Sequence, residues 1–187
     1  MLDNFPLPVL GFAAWSGTGK TTLLTKLIPL LKAQGLRVVI IKHAHHNFEI
    51  DKPGKDSYRF NKAGASQVVV ASNKCIASIR MIEDKEDEPR LEDALNALHT
   101  SQVDLVLVEG FKHAAIPKIE LHRQSLQKPY LYPKDKFIIA LAENTKKESG
   151  TNKESRDIPR LDINNPTEVV AFIQQWLDIN NFGLIDV

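Results

Sequence analysis

Leu7-Pro8-Val9-Leu10-Gly11-Phe12-Ala13-Ala14-Trp15-Ser16-Gly17-Thr18-Gly19-Lys20-Thr21-Thr22-Leu23-Leu24 changes character twice: apolar, then glycine-rich and polar, then leucine-rich at intervals. Leu7 to Ala14 is a continuous apolar run, the pattern of a strand buried on both faces of a parallel sheet. From Lys20 to Gln34, Leu23, Leu24, Leu27, Leu30 and Leu31 recur at helical spacing. Gly35 stands where a left-handed cap is wanted, and Pro29 should bend the helix. Between strand and helix, Ala14 to Thr21 has the form of a loop that wraps phosphate, with Ala14 where glycine is usual. Gly17 and Gly19 let the backbone approach an anion, and the helix that starts there adds a favourable dipole. Lys20 is expected to neutralise terminal phosphates and Thr21 to offer its hydroxyl to Mg²⁺, with Ser16, Thr18 and Thr22 completing the phosphate-binding set. The bland alternative is a glycine-rich turn that happens to contain lysine. The strand before it and the helix after it favour the phosphate site.

Working outward, Arg37 to Lys42 reads as a second strand, so the chain opens with a parallel βαβ crossover. A polar loop from His43 to Lys55 leads to a short helix over Asp56 to Ala63, with Asp56 as N-cap and Gly64 as stop. Val68 to Ala71 and Ile76 to Ile82 read as a hairpin around Asn73 and Lys74, followed by an acidic turn over Glu83 to Arg90. Leu91, Ala94, Leu95 and Leu98 mark another amphipathic helix. Val103 to Val108, Lys118 to His122 and Phe137 to Ala142 are further strands, and Glu143 to Ser155 is a polar segment without apolar periodicity, expected to be mobile. Asn165, Pro166 and Glu168 open a closing helix through Val169, Val170, Phe172, Ile173, Trp176 and Leu177. The expected fold class is α/β, a P-loop NTPase-type three-layer sandwich. Its mostly parallel central sheet should have about seven or eight strands, including the β-hairpin.

A length of 187 residues suits one domain, residues 1–187. Twenty-four Lys and Arg against twenty-three Asp and Glu leave a net charge of +1, which gives no global attraction for nucleic acid or an anionic membrane. No apolar run reaches the roughly 20 residues of a membrane span, and no signal peptide is recognisable, so a cytoplasmic protein is expected. The single cysteine, Cys75, cannot form an internal disulfide and reads as an inert core residue of an apolar strand.

A phosphate loop needs an acidic partner at the end of a neighbouring parallel strand. Val103 to Val108 runs into Glu109-Gly110, so Glu109 is assigned to the metal and to catalysis alongside Lys20, with Gly110 leaving room for ligand. Asp104 begins the same strand, about 15 Å away by strand rise, and is the weaker choice. The loop after the second strand should reach the same carboxyl edge. There Asp51 could complete the Mg²⁺ shell, and Lys52, Lys55 and Arg59 could meet a second anionic ligand, unless the loop is simply solvated. Lys112, after Glu109-Gly110, is a further ligand-binding candidate. His43, His45 and His46 invite a metal reading, but no Cys lies nearby to build a transition-metal site. No arginine stands in an obvious position to assist the phosphate loop in cis. Thr145-Lys146-Lys147-Glu148 resembles a guanine-reading N/T-K-x-D segment with Glu for Asp, which leans the base assignment to guanine.

These blocks together resemble the MobB family, the adapter proteins of molybdopterin-guanine dinucleotide biosynthesis. The resemblance is carried by FAAWSGTGKTTLL at Phe12 to Leu24, IKHAHHNFEIDKPGKDSYRFNKAGA at Ile41 to Ala65 and DLVLVEGFKH at Asp104 to His113. PKIEL at Pro117 to Leu121 and LDIN at Leu161 to Asn164 extend it across nearly the whole chain. It implies a P-loop protein of the GTPase class that binds GTP with Mg²⁺ and hydrolyses it weakly. It further implies a homodimer working with a MobA-type molybdopterin nucleotidyltransferase that attaches GMP to molybdopterin, with molybdopterin or a molybdoenzyme apoprotein as further partners. Gly17, Gly19, Lys20 and Thr21 match the family's phosphate loop, and Glu109 and Asp51 its acidic positions. Two other readings compete. A P-loop small-molecule kinase would carry arginines in a lid, where Glu143 to Ser155 has lysines only. A metallochaperone GTPase would need a Cys- or His-rich reservoir.

Overall fold

Val9–Ala13 (β1) is buried along its whole length, because neighbours cover both of its faces. The computed structural model describes residues 5–44, 51–82, 89–144 and 157–182. The chain groups into two compact units, Met1–His43 with Arg90–Val187, and Ala44–Pro89.

The first unit holds β1, α1 (Lys20–Ala33), β2 (Val38–Lys42), α3 (Leu91–Leu95), β5 (Leu105–Glu109), β6 (Lys118–His122), β7 (Ile138–Glu143), β8 (Arg160–Asp162) and α4 (Pro166–Ile179). Its six strands form one sheet in the order β2-β5-β1-β6-β7-β8, and every pairing is parallel. Along β1 the side chains alternate between two apolar layers. Leu10 and Phe12 join the cluster containing Leu23, Leu24, Leu27 and Leu31 of α1 and Val169, Val170, Ile173 and Leu177 of α4. Val9 faces the opposite cluster with Val106, Val108, Ile41, Leu91 and Leu95. Helices therefore cover both faces, as the apolar runs of a parallel sheet require. Pro29 lies inside α1, yet the helix runs on to Ala33. The proline costs about 3 kcal/mol, whereas four buried leucines contribute roughly 2 kcal/mol each. In α4, Asn165 Oδ1 accepts the Glu168 amide and Pro166 occupies the first turn, as its sequence predicts.

The second unit contains α2 (Asp56–Lys62) and an antiparallel pair, β3 (Gln67–Ala71) and β4 (Ile76–Arg80). This pair is a sheet of its own rather than part of the central one, which corrects the expectation of seven or eight strands in a single sheet. Val68 is the one buried hydrophobic residue among 51–82, so the pair lacks the two apolar faces that a central strand presents. Asp56 is the first helical residue and not the cap, which is Lys55. Cys75 is exposed beside the hairpin turn, a second correction: its position lies outside both strands. The strand β8 has only three residues and no sequence signal marked it.

Gly11 in β1 makes room for an unusual core lysine. A Cβ there would lie 2.7 Å from Lys118 Cγ. Lys118 is 1% exposed. Its ammonium donates to the carbonyls of Lys112 (3.1 Å) and Ala114 (2.7 Å) and pairs with Asp135 at 2.8 Å. All three N–H donors thus meet oxygen, and the segment after β5 is tied to the start of β6. Lys118→Ala is expected to destabilise the protein by about 3 kcal/mol, since it removes a buried ammonium that ties two carbonyls and the Asp135 carboxylate together and leaves a cavity. A urea melt should show a lower midpoint with unchanged slope, and an unshifted midpoint would contradict this account.

Candidate phosphate-binding site

The turn from β1 to α1 begins at the carboxyl edge of the sheet. Gly17 and Gly19 take φ of 80° and 97°, values that a side-chain-bearing residue adopts only with strain. Thr18, 1% exposed, braces the bend by donating its hydroxyl to the Trp15 carbonyl at 2.7 Å. Helix α1 then starts with the Leu23 amide donating to the Gly19 carbonyl at 2.9 Å. Among the described residues, the amide N–H groups of Gly17, Gly19, Lys20, Thr21 and Thr22 donate to no protein acceptor. A concave run of unpaired amides at a helix start is an anion cradle. Ser16 is exposed at the tip of this loop.

Lys20 curls back over the loop, its ammonium 3.4 Å from the Ala14 carbonyl. Burial pulls its pKa below the ordinary value; the Glu109 carboxylate opposes that pull and the Lys42 ammonium adds to it. Glu109 is the last residue of β5, in register with Phe12 of β1 and Lys42 of β2. Its carboxylate accepts the Thr21 hydroxyl at 3.0 Å and lies 3.7 Å from the Lys42 ammonium. Thr21 and Glu109 therefore present hydroxyl and carboxylate oxygen side by side, a hard donor set that suits Mg²⁺. Asp104 stands at the other end of β5, paired with Arg37 at 2.7 Å, in accord with its rank as the weaker candidate.

Gly110 has a different role from the one expected. Its φ is 94°, and a Cβ on it would fall 2.6 Å from the His43 Cβ, so glycine admits His43 rather than a ligand. The His43 amide donates to the Glu109 carbonyl at 2.8 Å and its ring stacks on Phe111 with centroids 4.6 Å apart. These contacts fix the backbone that carries Glu109. Lys112 is exposed, and what it contributes is its carbonyl, to Lys118.

The flank on the β6 side was not foreseen. Arg123, which follows β6, donates from Nε to the Thr18 carbonyl at 2.9 Å and from Nη1 to Asn164 Oδ1 at 3.3 Å. An arginine does therefore stand at the phosphate loop, although it is 105 residues away in sequence. The Gln124 amide donates to Asn144 Oδ1 at 3.1 Å. Behind this flank, buried Glu120 accepts the amides of Leu131 and Tyr132 at 2.8 Å each. Burial raises its pKa, and the two amides oppose the rise. Tyr130 donates to Glu143, which also pairs with Arg160, and burial followed by the Glu143 contact pushes the phenol up to about 12. Trp15 of the loop donates its indole N–H to the Pro129 carbonyl at 2.8 Å. The crossover from β6 to β7 thereby anchors one side of the turn.

Asp51, Lys52, Lys55 and Arg59 belong to the second unit. Within it Asp51 Oδ1 accepts the Lys52 amide at 3.0 Å, and Arg59 lies 3.6 Å from Asp56. Both lysines are exposed. His45, His46, and the stretches Glu83–Glu88 and Thr145–Arg156, with the N/T-K-x-D-like segment, lie outside the described residues. Among the described residues no group of three His, Cys, Asp or Glu could hold a metal, and no helix is long and apolar enough to cross a membrane.

The model of the MobB family, molybdopterin guanine dinucleotide synthesis protein B, matches residues 9–144. The molybdopterin-guanine dinucleotide biosynthesis adapter protein of Escherichia coli (strain K12) is 44% identical over 182 residues, 97% of this chain and 99% of that protein. Its counterpart in Haemophilus influenzae (strain ATCC 51907 / DSM 11121 / KW20 / Rd) is 43% identical over 93% of this chain and 92% of its own. A crystal structure of molybdopterin-guanine biosynthesis protein B superposes with a TM-score of 0.65 at 26% identity, covering 90% of this chain and 99% of that one. Bacillus subtilis MobB, at 19% identity and a TM-score of 0.63 over 90% of this chain and 97% of its own, shares the fold.

The lowered pKa of Lys20 sets a pH dependence. Burial disfavours its charged form in the free protein, so it titrates below 10.5, and a bound polyanion would favour the charged form and lift the pKa. Affinity for a triphosphate should be flat at neutral pH and should fall as pH rises from the free-protein pKa toward the bound-state value. Calorimetric titration up to pH 10.5 checks this, and a pH-independent affinity would rule it out.

Proposed function

The chain belongs to the MobB family, and from that premise we propose that it is a GTP-binding adapter with weak Mg²⁺-dependent GTPase activity in molybdopterin-guanine dinucleotide biosynthesis. The observation that carries the proposal is the set of unpaired amides at Gly17, Gly19, Lys20, Thr21 and Thr22, with Lys20 over it and the Thr21–Glu109 pair beside it. The amides and the helix dipole would bind the β-phosphate, and Lys20 would neutralise the terminal oxygens. Thr21 and Glu109 would hold Mg²⁺, which when bound supplies positive charge to the phosphate oxygens. Lys42, 3.7 Å from Glu109, pairs with that carboxylate from the neighbouring strand.

Weak hydrolysis fits the arrangement on the β6 side. Arg123 spends Nε on the Thr18 carbonyl and Nη1 on Asn164, contacts made from the β6 side of the loop, while Glu109 ends β5 on its other side. A missing arginine at the transferring phosphoryl group costs ~10³ to 10⁵ in rate. A MobA-type nucleotidyltransferase, which would attach GMP to molybdopterin, is the partner this adapter role implies. Asp51, Lys52, Lys55, Arg59 and Lys112 are then candidates for metal or for a second anionic ligand.

A homodimer completes the proposal. The antiparallel pair leaves Val69, Val70 and Ile76 exposed, Ile76 by 74%, with Met81 and Ile82 beyond it. An isolated two-stranded hairpin is marginal in water, and such a face is stabilised by a partner. Ile76→Lys should convert a dimer to monomer in light scattering; a variant that stays dimeric would move the interface elsewhere.

Two substitutions separate the roles at the phosphate loop. Lys20→Ala should leave the thermal melt unchanged and weaken GTP binding at least ~100-fold, the scale of losing a charge-assisted contact to phosphate. Glu109→Gln should reduce Mg²⁺-dependent phosphate release more than it reduces nucleotide binding. Equal loss of both with Glu109→Gln, or full affinity with Lys20→Ala, would refute these assignments, and rapid transfer to a small-molecule acceptor would favour a kinase.

A further inference from the structure

The phosphate loop has two flanks, set by the strand order. On one side stand β5 and β2 with Glu109 and Lys42; on the other stand β6, β7 and β8. A nucleoside triphosphate whose terminal phosphate sits by Lys20, Thr21 and Glu109 must lead its nucleoside away from them. We propose that Arg123, with Asn144 and Asn164, forms the nucleoside side of the site, the Arg123 guanidinium plane serving as the platform on which a purine base stacks. This rests on the phosphate-loop reading and extends it to the rest of the ligand.

Arg123 is held in place without being neutralised. Its partners are a backbone carbonyl and a carboxamide oxygen, and among the described residues it pairs with no carboxylate. Among the described residues Nε and Nη1 are engaged, and both bonds lie in the plane of the half-buried guanidinium, so neither occupies its faces. Guanidinium planes stack on aromatic rings through cation–π and dispersion attraction. The group lies at the loop itself: its Nε and Nη2 are each 3.9 Å from the point where a Cβ on Gly19 would stand. A Cβ there would sit in ordinary van der Waals contact with the guanidinium, so it is the φ of 97° that calls for glycine. Asn144, closing β7, accepts the Gln124 amide, and Asn164, following β8, accepts Arg123. Three strand ends are thereby drawn to one place, and each carboxamide also carries an NH₂ that can meet the hydrogen-bonding edge of a base or a ribose hydroxyl.

The test compares two ligands, GTP and inorganic tripolyphosphate, on the full chain with Mg²⁺ by titration calorimetry. Tripolyphosphate engages the loop alone, and GTP adds the nucleoside. Arg123→Lys keeps a positive charge and a donor for Thr18 but removes the plane. It should weaken GTP about tenfold more than it weakens tripolyphosphate, the scale of one base–side-chain stack. Asn164→Ala, which releases Nη1, should shift the same ratio in the same direction by about threefold. A loss equal for both ligands would mean that Arg123 only braces the loop, and an unchanged GTP affinity would mean that it does nothing; either result overturns the proposal. If the unaltered protein binds tripolyphosphate as tightly as GTP, the nucleoside side falls and the phosphate loop stands. Failure to bind either ligand would sink both.

Discussion

Three parallel strands, β5, β1 and β6, end side by side, and the chemistry of this molecule depends on that alignment. Phe12 of β1 is in register with Glu109, and Ala13 with Glu120 of β6. Residues that leave the sheet one or two positions later therefore meet at a single edge. The loop after β1 lies in the middle, an acid and a lysine stand on its β5 side, and an arginine and two carboxamides stand on its β6 side. The alignment is held by burial, since β1 and β6 are covered on both faces and β5 nearly so. Slippage of any strand by one residue would turn its apolar set toward the wrong layer, so register is fixed by the core and the site inherits it.

The elements around the phosphate loop were legible because each relies on local pattern. An apolar run, a glycine-rich octet and leucines at helical spacing placed β1, the loop and α1 almost to the residue. The cap at Asn165 and Pro166 likewise defined α4 from a few neighbouring residues. Glu109 was found by a rule about strand ends, which is still local. Arg123 obeys no such rule: it reaches the loop only because β6 lies beside β1, and strand order is not written in any window of sequence. Gly110 shows a related limit. As a small residue at a strand end it reads as room for a ligand, but the neighbour it accommodates, His43, comes from the end of another strand.

The hairpin of the second unit was read correctly as a hairpin and wrongly assigned to the main sheet. Its residues are rich in side chains branched at Cβ, as strand residues are, which favours the local conformation. An interior strand of the central sheet is buried on both faces, and among 51–82 only Val68 is buried. Exposed Cys75 follows from the same mistake, because a residue between two strands of a free-standing pair has no layer above it. Apolar content in the sequence signalled that this surface should be covered, without saying by what.

Around the loop after β1 the polar side chains are held by internal contacts. Lys20 rests near the Ala14 carbonyl, and the Thr21 hydroxyl donates to Glu109 in a bond that a cation between the two would replace. Each contact is weak or long compared with a charge-assisted bond to phosphate, since the Lys20 contact is 3.4 Å and burial disfavours its charge. On the proposed reading a polyanion would relieve a desolvated ammonium while satisfying open amides, and both effects would act in the same direction. Arg123 differs, because two bonds, at 2.9 Å to the Thr18 carbonyl and 3.3 Å to Asn164 Oδ1, hold it where Lys20 has one long contact. On the proposed binding mode the β5 flank would exchange partners and the more firmly held β6 flank would stay as it is. That division would let the β6 side hold a nucleoside while the β5 side responds to the phosphates.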